Sequence, residues 1–113
     1  MKILILGAGQ VGSTLAKYLC SDDDNDITIV DQKEEMLTPL QRHLDIKTVI
    51  GYGAYPSILE KAGIKSMDVV IAVMRSDERN MVACRMAHTL YNVKKKIARI
   101  RTTEYLLRPE IFS

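Results

Sequence analysis

The stretch Ile3-Leu4-Ile5-Leu6-Gly7-Ala8-Gly9-Gln10-Val11-Gly12 decides the fold. Its apolar run from Ile3 to Leu6, stopped by glycine, is typical of a strand buried on both faces, as in a parallel sheet. From Val11 the apolar residues recur at steps of three and four, which predicts a helix that ends near Cys20. The G-x-G-x-x-G pattern thus lies between a strand and a helix, the context in which it indicates a dinucleotide-binding loop.

Length and composition limit what such a loop can serve. The chain has 113 residues, of which 47% are hydrophobic and 27% charged, which predicts one compact domain. Its net charge of +2, with 16 basic and 14 acidic residues, argues against a nucleic-acid surface. Its longest apolar run, Val69 to Met74, is far shorter than the roughly 20 residues that cross a bilayer, so we expect a cytoplasmic protein.

The two cysteines carry no metal or disulfide signal. Cys20 and Cys84 lie far apart, with no C-x-x-C spacing and no histidine at ligand spacing. We therefore expect buried free thiols in a reducing compartment and no metal site.

Predicted strands and helices alternate along the rest of the chain. Strands are expected at 27–30, 46–50, 69–73 and 96–101, and helices at 34–44, at 56–62 and after Ser76 or Asp77. In the last long helix the predicted buried stripe is Val82, Ala83, Met86, Ala87 and Leu90. One short helix is expected within 102–113. The alternation predicts a single α/β domain over 1–113, with a Rossmann-like, doubly wound parallel sheet of about five strands and helices on both faces.

Each glycine of the first loop has its own predicted use. Gly7 permits a tight turn, Gly9 lets the backbone approach a pyrophosphate, and Gly12 lets the helix pack closely. Free N–H groups and the positive helix end would then meet the phosphates. The remaining loop residues assigned to this site are Ala8, Gln10 and Val11.

Asp31 is the predicted ribose ligand. It comes 19 residues after Gly12, at the end of the second strand, where a carboxylate can accept hydrogen bonds from the adenosine ribose. The same charge would repel a 2′-phosphate, which favours NAD(H) over NADP(H). Gln32, which follows it, is assigned to the same site. The alternative is an aspartate that ends a strand and glycines that serve only a turn.

Further candidates follow the third, fourth and fifth strands. Parallel strands collect their ligands at the carboxyl edge, so Gly51, Tyr52 and Gly53 would border the adenine unless they form a plain glycine turn. Ala72, Val73 and Met74 end the fourth strand beside the switch point. Ser76, Asp77 and Asn80 would face the far end of the nucleotide, unless Ser76 and Asp77 serve only as helix caps. Arg99 and Arg101 lie in the fifth predicted strand, and one of them, Arg99 in the assigned site, would reach a phosphate or an acidic group of a partner; the alternative is that they lie exposed on an edge strand.

The segment Ser76-Asp77-Glu78-Arg79-Asn80-Met81-Val82-Ala83-Cys84 adds a family resemblance. With the glycine loop, Asp31, Ile97–Arg101 and Glu104–Leu106, the chain resembles the N-terminal, RCK/KTN-type nucleotide-binding domain of Trk-type potassium-uptake regulatory proteins, over essentially its whole length. The resemblance implies a cytoplasmic regulatory subunit without catalytic residues, which binds NAD(H), with ATP or ADP as the alternative ligand. It also implies a homo-oligomer, dimeric or tetrameric, that gates a membrane potassium transporter and meets the inner membrane through it.

Two departures accompany the resemblance. Tyr52 stands where many relatives carry an acid, so stacking or backbone contact would replace that side chain. The family domain usually continues into a sixth strand, so we expect this chain to lack that strand and a C-terminal regulatory domain. The apolar groups Tyr105–Leu107 and Ile111–Phe112 would then meet further chain or a partner.

Two other functions fit the same glycine loop. The first is the cofactor-binding half of an NAD-dependent dehydrogenase, which would need a substrate region and a proton-transfer residue for which this chain has no room. The second is an interaction module with an empty nucleotide fold, which predicts that no nucleotide binds.

Overall fold

The structure, a computed structural model, describes residues 1–112. Five strands form one sheet in the order β3-β2-β1-β4-β5, and every neighbouring pair is parallel. They are β1 (Lys2–Leu6), β2 (Asp26–Asp31), β3 (Lys47–Ile50), β4 (Val69–Ala72) and β5 (Lys95–Ala98). The chain winds from β1 outward to β3 and then crosses to β4, so a switch point lies between the carboxyl ends of β1 and β4. The predicted doubly wound parallel sheet is confirmed.

Helices cover both faces of this sheet. They are α1 (Gln10–Cys20), α2 (Glu34–His43), α3 (Pro56–Lys61), α4 (Asp77–Thr89) and α5 (Thr103–Leu106), with 3₁₀ turns at Ile64–Ser66 and Pro109–Phe112. One core packs Ile3 and Ile5 of β1 against residues of α1 and α2, and the other packs Leu4 and Leu6 against α3 and α4. Successive strand side chains point to opposite faces, and both faces are covered, so β1 is continuously apolar.

The last strand is shorter than expected. The sequence predicts a strand over 96–101, but β5 ends at Ala98. Beyond it, the N–H groups of Arg101 and Thr102 donate to the Asp77 carboxylate instead of extending the ladder, which turns the chain away from the sheet. The expected single helix after residue 102 is in fact α5 and a separate 3₁₀ turn, because Pro109 cannot continue a helix. Ser113 and the Phe112 side chain lie outside the described residues.

The buried stripe of α4 is narrower than predicted. Val82 and Leu90 are 49% and 57% exposed, whereas Ala83 and Ala87 are fully buried. Asn80 takes an inward position on the same face. Small side chains at Ala83 and Ala87 let α4 approach β4 and β5 closely, and the polar Asn80 is placed where the β4 loop can bond it.

Candidate functional site

The loop between β1 and α1 takes its shape from two glycines. Gly7 has a φ of +110°, and a Cβ there would lie 2.8 Å from the Val73 carbonyl oxygen. A Cβ on Gly12 would overlap the Gly7 carbonyl oxygen. The turn predicted at Gly7 and the close packing predicted at Gly12 are therefore confirmed, and the first turn of α1 is held directly against the glycine loop.

Gly9 differs from both. It precedes α1 with a φ of −72°, and a Cβ built there meets no atom within 4 Å. The backbone at Gly9 therefore faces open space beside the N-terminus of an 11-residue helix. N–H groups of a first helical turn lack intrahelical partners, and the helix dipole favours negative charge there. This arrangement fits the approach of a phosphate group to the loop.

Asp31 is tied to this loop by a contact that the sequence does not reveal. Its Oδ2 accepts a 2.8 Å hydrogen bond from the Ala8 N–H, and its Oδ1 accepts one of 2.8 Å from the Lys33 N–H. The carboxylate is half-buried at the end of β2, and Gln32 beside it is exposed. Each ionised carboxylate oxygen has a second lone pair, so hydrogen bonds from ribose hydroxyls remain available.

The loop after β3 packs against two other elements. A Cβ on Gly51 would overlap the Ile58 side chain of α3, and one on Gly53 would lie 3.1 Å from the Met74 sulfur. Packing therefore leaves no room for a side chain at Gly51 and little at Gly53, so the alternative of a structural glycine turn has direct support. Their contact with an adenine stays a prediction.

Tyr52 lies in a small aromatic and cationic cluster. Its ring centroid is 4.5 Å from that of Tyr55, and the Arg79 guanidinium carbon lies 4.7 Å from the Tyr52 centroid. A guanidinium at this distance from an aromatic ring makes a favourable cation–π interaction. The cluster joins the β3 loop to the first turn of α4. The sequence pattern assigns Arg79 no role beyond the segment that carries the family resemblance. Its contact with Tyr52 depends on the fold, which brings residues 52 and 79 together.

Asn80 holds the loop after β4. Its Oδ1 accepts a 2.8 Å hydrogen bond from the Met74 N–H, and its Nδ2 donates to the carbonyl oxygens of Met74 (3.1 Å) and Arg99 (2.9 Å). The side chain is 0% exposed. The predicted contact between Asn80 and a nucleotide is therefore corrected, because the amide is buried behind the loop and supports Met74, which follows the buried residues Ala72 and Val73.

The two arginines after β5 bond backbone carbonyls of the loop after β4, Arg99 from a half-buried position and Arg101 from an exposed one. Arg99 Nη2 donates to the carbonyl oxygens of Val73 (3.2 Å) and Met74 (2.9 Å), and Arg101 Nη2 donates to that of Arg75 (2.9 Å). The expectation of an exposed edge strand is wrong for Arg99, which is half-buried and lies beyond the end of β5. Its contact with a phosphate stays a prediction.

Ser76 and Asp77 begin α4 in different ways. The Ser76 Oγ accepts a 3.3 Å hydrogen bond from the Arg79 N–H, which is the helix cap that the sequence allowed. The buried Asp77 carboxylate accepts instead from the N–H groups of Arg101 (3.0 Å) and Thr102 (2.7 Å). Hydrogen bonds from the Thr102 side chain and the Arg101 N–H hold the pKa of Asp77 below its ordinary value of 3.8.

A cavity of about 540 Å³ lies away from the glycine loop, between α4, β5 and the C-terminal turns. It is lined by Met81, Cys84, His88, Ile100 and Leu106 among others. Burial raises the pKa of the Cys84 thiol to about 11, so the thiol stays protonated at neutral pH. Both cysteines are free and half-buried.

Two properties of residues 1–112 bear on the kind of site. No group of three or more His, Cys, Asp or Glu side chains in this part of the chain is arranged to hold a metal ion. Over the same residues, no helix combines the length and the apolar character needed to cross a membrane.

Comparison with known sequences gives a consistent result. The sequence profile of the TrkA-N domain matches residues 3–110. The Trk system potassium uptake protein TrkA of Halomonas elongata is 52% identical over 113 residues, which cover 100% of this chain and 24% of that protein. The protein of the same name from Haemophilus influenzae is 53% identical over 106 residues, 94% of this chain and 23% of its own length. The chain thus spans about a quarter of these relatives.

Solved structures of similar fold are more distant in sequence. The TrkA-N domain of the inner membrane protein YbaL from Escherichia coli has a TM-score of 0.83 at 19% identity, over 94% of this chain and 77% of that one. The Shewanella denitrificans Kef CTD, solved with AMP bound, has a TM-score of 0.80 at 22% identity, over 100% of this chain and 69% of that one. These likenesses show the fold. The profile match over nearly the whole length shows that the chain belongs to the TrkA-N domain family.

Proposed function

We propose that this chain is an NAD(H)-binding sensor domain of a Trk-type potassium-uptake regulatory protein. The observation that carries the proposal is the glycine loop, where Gly9 leaves open space at the start of α1 and Asp31 stands beside the loop. The names of the relatives support the potassium-uptake setting. No catalytic residue is assigned.

The proposed ligand contacts follow the carboxyl edge of the sheet. Backbone N–H groups of the glycine loop would hold the pyrophosphate, and Asp31 would accept hydrogen bonds from the adenosine ribose. Tyr52, which already faces Arg79, would border the base. The full set of proposed contact residues is Gly7, Ala8, Gly9, Gln10, Val11, Gly12, Asp31, Gln32, Gly51, Tyr52, Gly53, Ala72, Val73, Met74 and Arg99.

The choice of nucleotide rests on Asp31. Its carboxylate would repel the 2′-phosphate of NADP(H), which favours NAD(H). ATP and ADP share the adenosine and its first two phosphates with NAD(H), so they are the second class of ligand that this site would accept. The AMP held by the Shewanella denitrificans domain is of the same class.

A sensor acts through the assembly to which it belongs. We propose that this domain works in a homo-oligomer, dimeric or tetrameric, on the cytoplasmic side of the inner membrane, where it would gate a membrane potassium-transporter subunit. A ligand shifts such an equilibrium only by the difference between its affinities for two arrangements. The nucleotide-facing loops must therefore change with the bound state.

The experiment is a calorimetric titration of the chain with NADH, NAD, NADPH, ATP and ADP, each in a separate measurement. We expect NADH to bind and NADPH to bind at least about tenfold more weakly, a difference of about 1.4 kcal/mol. Equal affinity for NADPH would contradict the role of Asp31. If none of the five nucleotides binds, the result would contradict the proposed function and favour an interaction module with an empty nucleotide fold.

A further inference from the structure

Met74 is where three loops of the carboxyl edge meet. A Cβ on Gly7 would lie 2.8 Å from the Val73 carbonyl oxygen and 3.0 Å from the Met74 nitrogen, so this peptide fills the space beside Gly7. The sulfur of Met74 fills the equivalent space beside Gly53, at 3.1 Å. The turn at Gly7 therefore cannot shift towards the β4 loop without displacing the peptide between residues 73 and 74, whereas the turn at Gly53 meets the Met74 side chain.

The Met74 peptide groups are in turn held by two side chains. Asn80 bonds both the N–H and the carbonyl of Met74, and Arg99 Nη2 bonds the carbonyls of Val73 and Met74. Buried polar groups keep their partners because losing one leaves a desolvated donor or acceptor. If the Met74 peptide moves, the side chains of Asn80 and Arg99 must therefore move with it to keep their hydrogen bonds.

The same two residues hold the segment that leaves the sheet. Asn80 Nδ2 bonds the Arg99 carbonyl, and the Arg99 N–H donates to the Ala72 carbonyl at 2.9 Å. One turn earlier on α4, Asp77 bonds the N–H groups of Arg101 and Thr102. Residues 99–102 are thus held by hydrogen bonds to α4 and to the end of β4, next to the carboxyl edge of the sheet where the nucleotide would bind.

Arg99 also retains one unsatisfied group. Within residues 1–112, its Nε is a buried side-chain nitrogen without a hydrogen-bond partner. An unpaired buried donor costs free energy, so a hydrogen-bond partner for Nε would stabilise this part of the fold.

We propose that Asn80 and Arg99 are positioning residues that couple nucleotide occupancy at the glycine loop to residues 99–102. The coupling rests on the proposed function, since it needs a ligand that presses on the glycine loop. A displacement of the glycine loop would move the Met74 peptide. That peptide is bonded by Asn80 and Arg99, which in turn hold the segment whose N–H groups Asp77 bonds. Movement at the ligand edge would thereby alter the course of the chain beyond β5.

The test is amide hydrogen exchange of the chain with and without NADH. We expect NADH to slow exchange across residues 7–12 and also at the Arg101 and Thr102 amides, by about threefold or more. In Asn80→Leu, which changes a residue outside the proposed nucleotide contacts, the slowing at residues 7–12 should persist and that at residues 101–102 should vanish. Asn80→Ser, which keeps a side-chain donor and acceptor, should recover part of it, and Arg42→Met, an exposed arginine on α2, should behave as the unaltered chain.

The outcomes separate the coupling from the proposed function. No NADH effect at residues 7–12 would contradict both. An effect there without one at residues 101–102 would contradict the coupling alone, as would an effect at residues 101–102 that survives in Asn80→Leu. If circular dichroism shows that Asn80→Leu is unfolded, Asn80→Ser decides: a reduced effect at residues 101–102 supports the coupling, and an unchanged effect overturns it.

Discussion

The Oδ2 atom of Asp31 accepts a 2.8 Å hydrogen bond from the backbone N–H of Ala8, which joins the end of β2 to the glycine loop. One carboxylate therefore serves two purposes, since it fixes the loop and stands where a ribose would bind. The two parts of the dinucleotide pattern, in which Asp31 comes 19 positions after Gly12, are thereby linked by the fold itself. A site preformed in this way loses less conformational freedom on binding.

Replacing Asp31 should weaken nucleotide binding. We expect Asp31→Ala to lower NADH affinity by about 1–3 kcal/mol, the range for charge-assisted hydrogen bonds. Calorimetric titration measures this directly. Asp26→Ala is the matched control, because Asp26 is an exposed residue at the opposite end of the same strand. Unchanged affinity in a folded Asp31→Ala chain would refute the ribose role.

Gly12 should be needed for stability rather than for binding alone. In Gly12→Ala the added methyl group would overlap the Gly7 carbonyl oxygen, so α1 must move from the loop. We expect the free energy of unfolding in urea to fall by about 2–3 kcal/mol, as in other overpacked positions. Thr14→Ala, at an exposed position of the same helix, should change it little. A Gly12→Ala chain as stable as the original would mean that α1 does not contact the loop so closely.

Asp77 should contribute stability that depends on pH. Its folded-state pKa lies below the ordinary value of 3.8, so its contribution is fully present above that value and is lost as the pH falls through the lower, folded pKa. Asp77→Asn should therefore lower the melting temperature at neutral pH, and the difference should shrink in acid. Glu78→Gln, an exposed acid in the same helical turn, serves as the control. A difference that stays constant in acid would contradict this account.

The regular part of the fold could be predicted because local patterns determine it. The continuous apolar run of β1 and the glycines after it predict a buried parallel strand and its turn without any knowledge of distant residues. The same holds for the helical steps of α1. The predicted end of a strand is wrong where a residue distant in sequence forms the hydrogen bonds. The last strand ends at Ala98 because Asp77 bonds the N–H groups of Arg101 and Thr102.

The candidate site was predictable in position but not in detail. The spacing of Gly7, Gly9, Gly12 and Asp31 placed four residues correctly at one edge of the sheet. The inward bonds of Asn80 and Arg99 were missed, because a polar side chain at the start of a helix is equally compatible with facing a ligand or its own backbone. Those contacts join residues six to 26 positions apart, and no local pattern encodes them.

Gly9 offers the most direct test of the dinucleotide site. Its φ of −72° suits alanine and no atom lies within 4 Å of the added methyl group, so Gly9→Ala should keep its melting temperature without ligand to within a few degrees. The methyl group would occupy the space assigned to the pyrophosphate. The measurement is the rise in melting temperature that NADH causes. We predict a clear rise for the unaltered chain and little or none for Gly9→Ala; equal rises in both, or none in the unaltered chain, would contradict the proposed site.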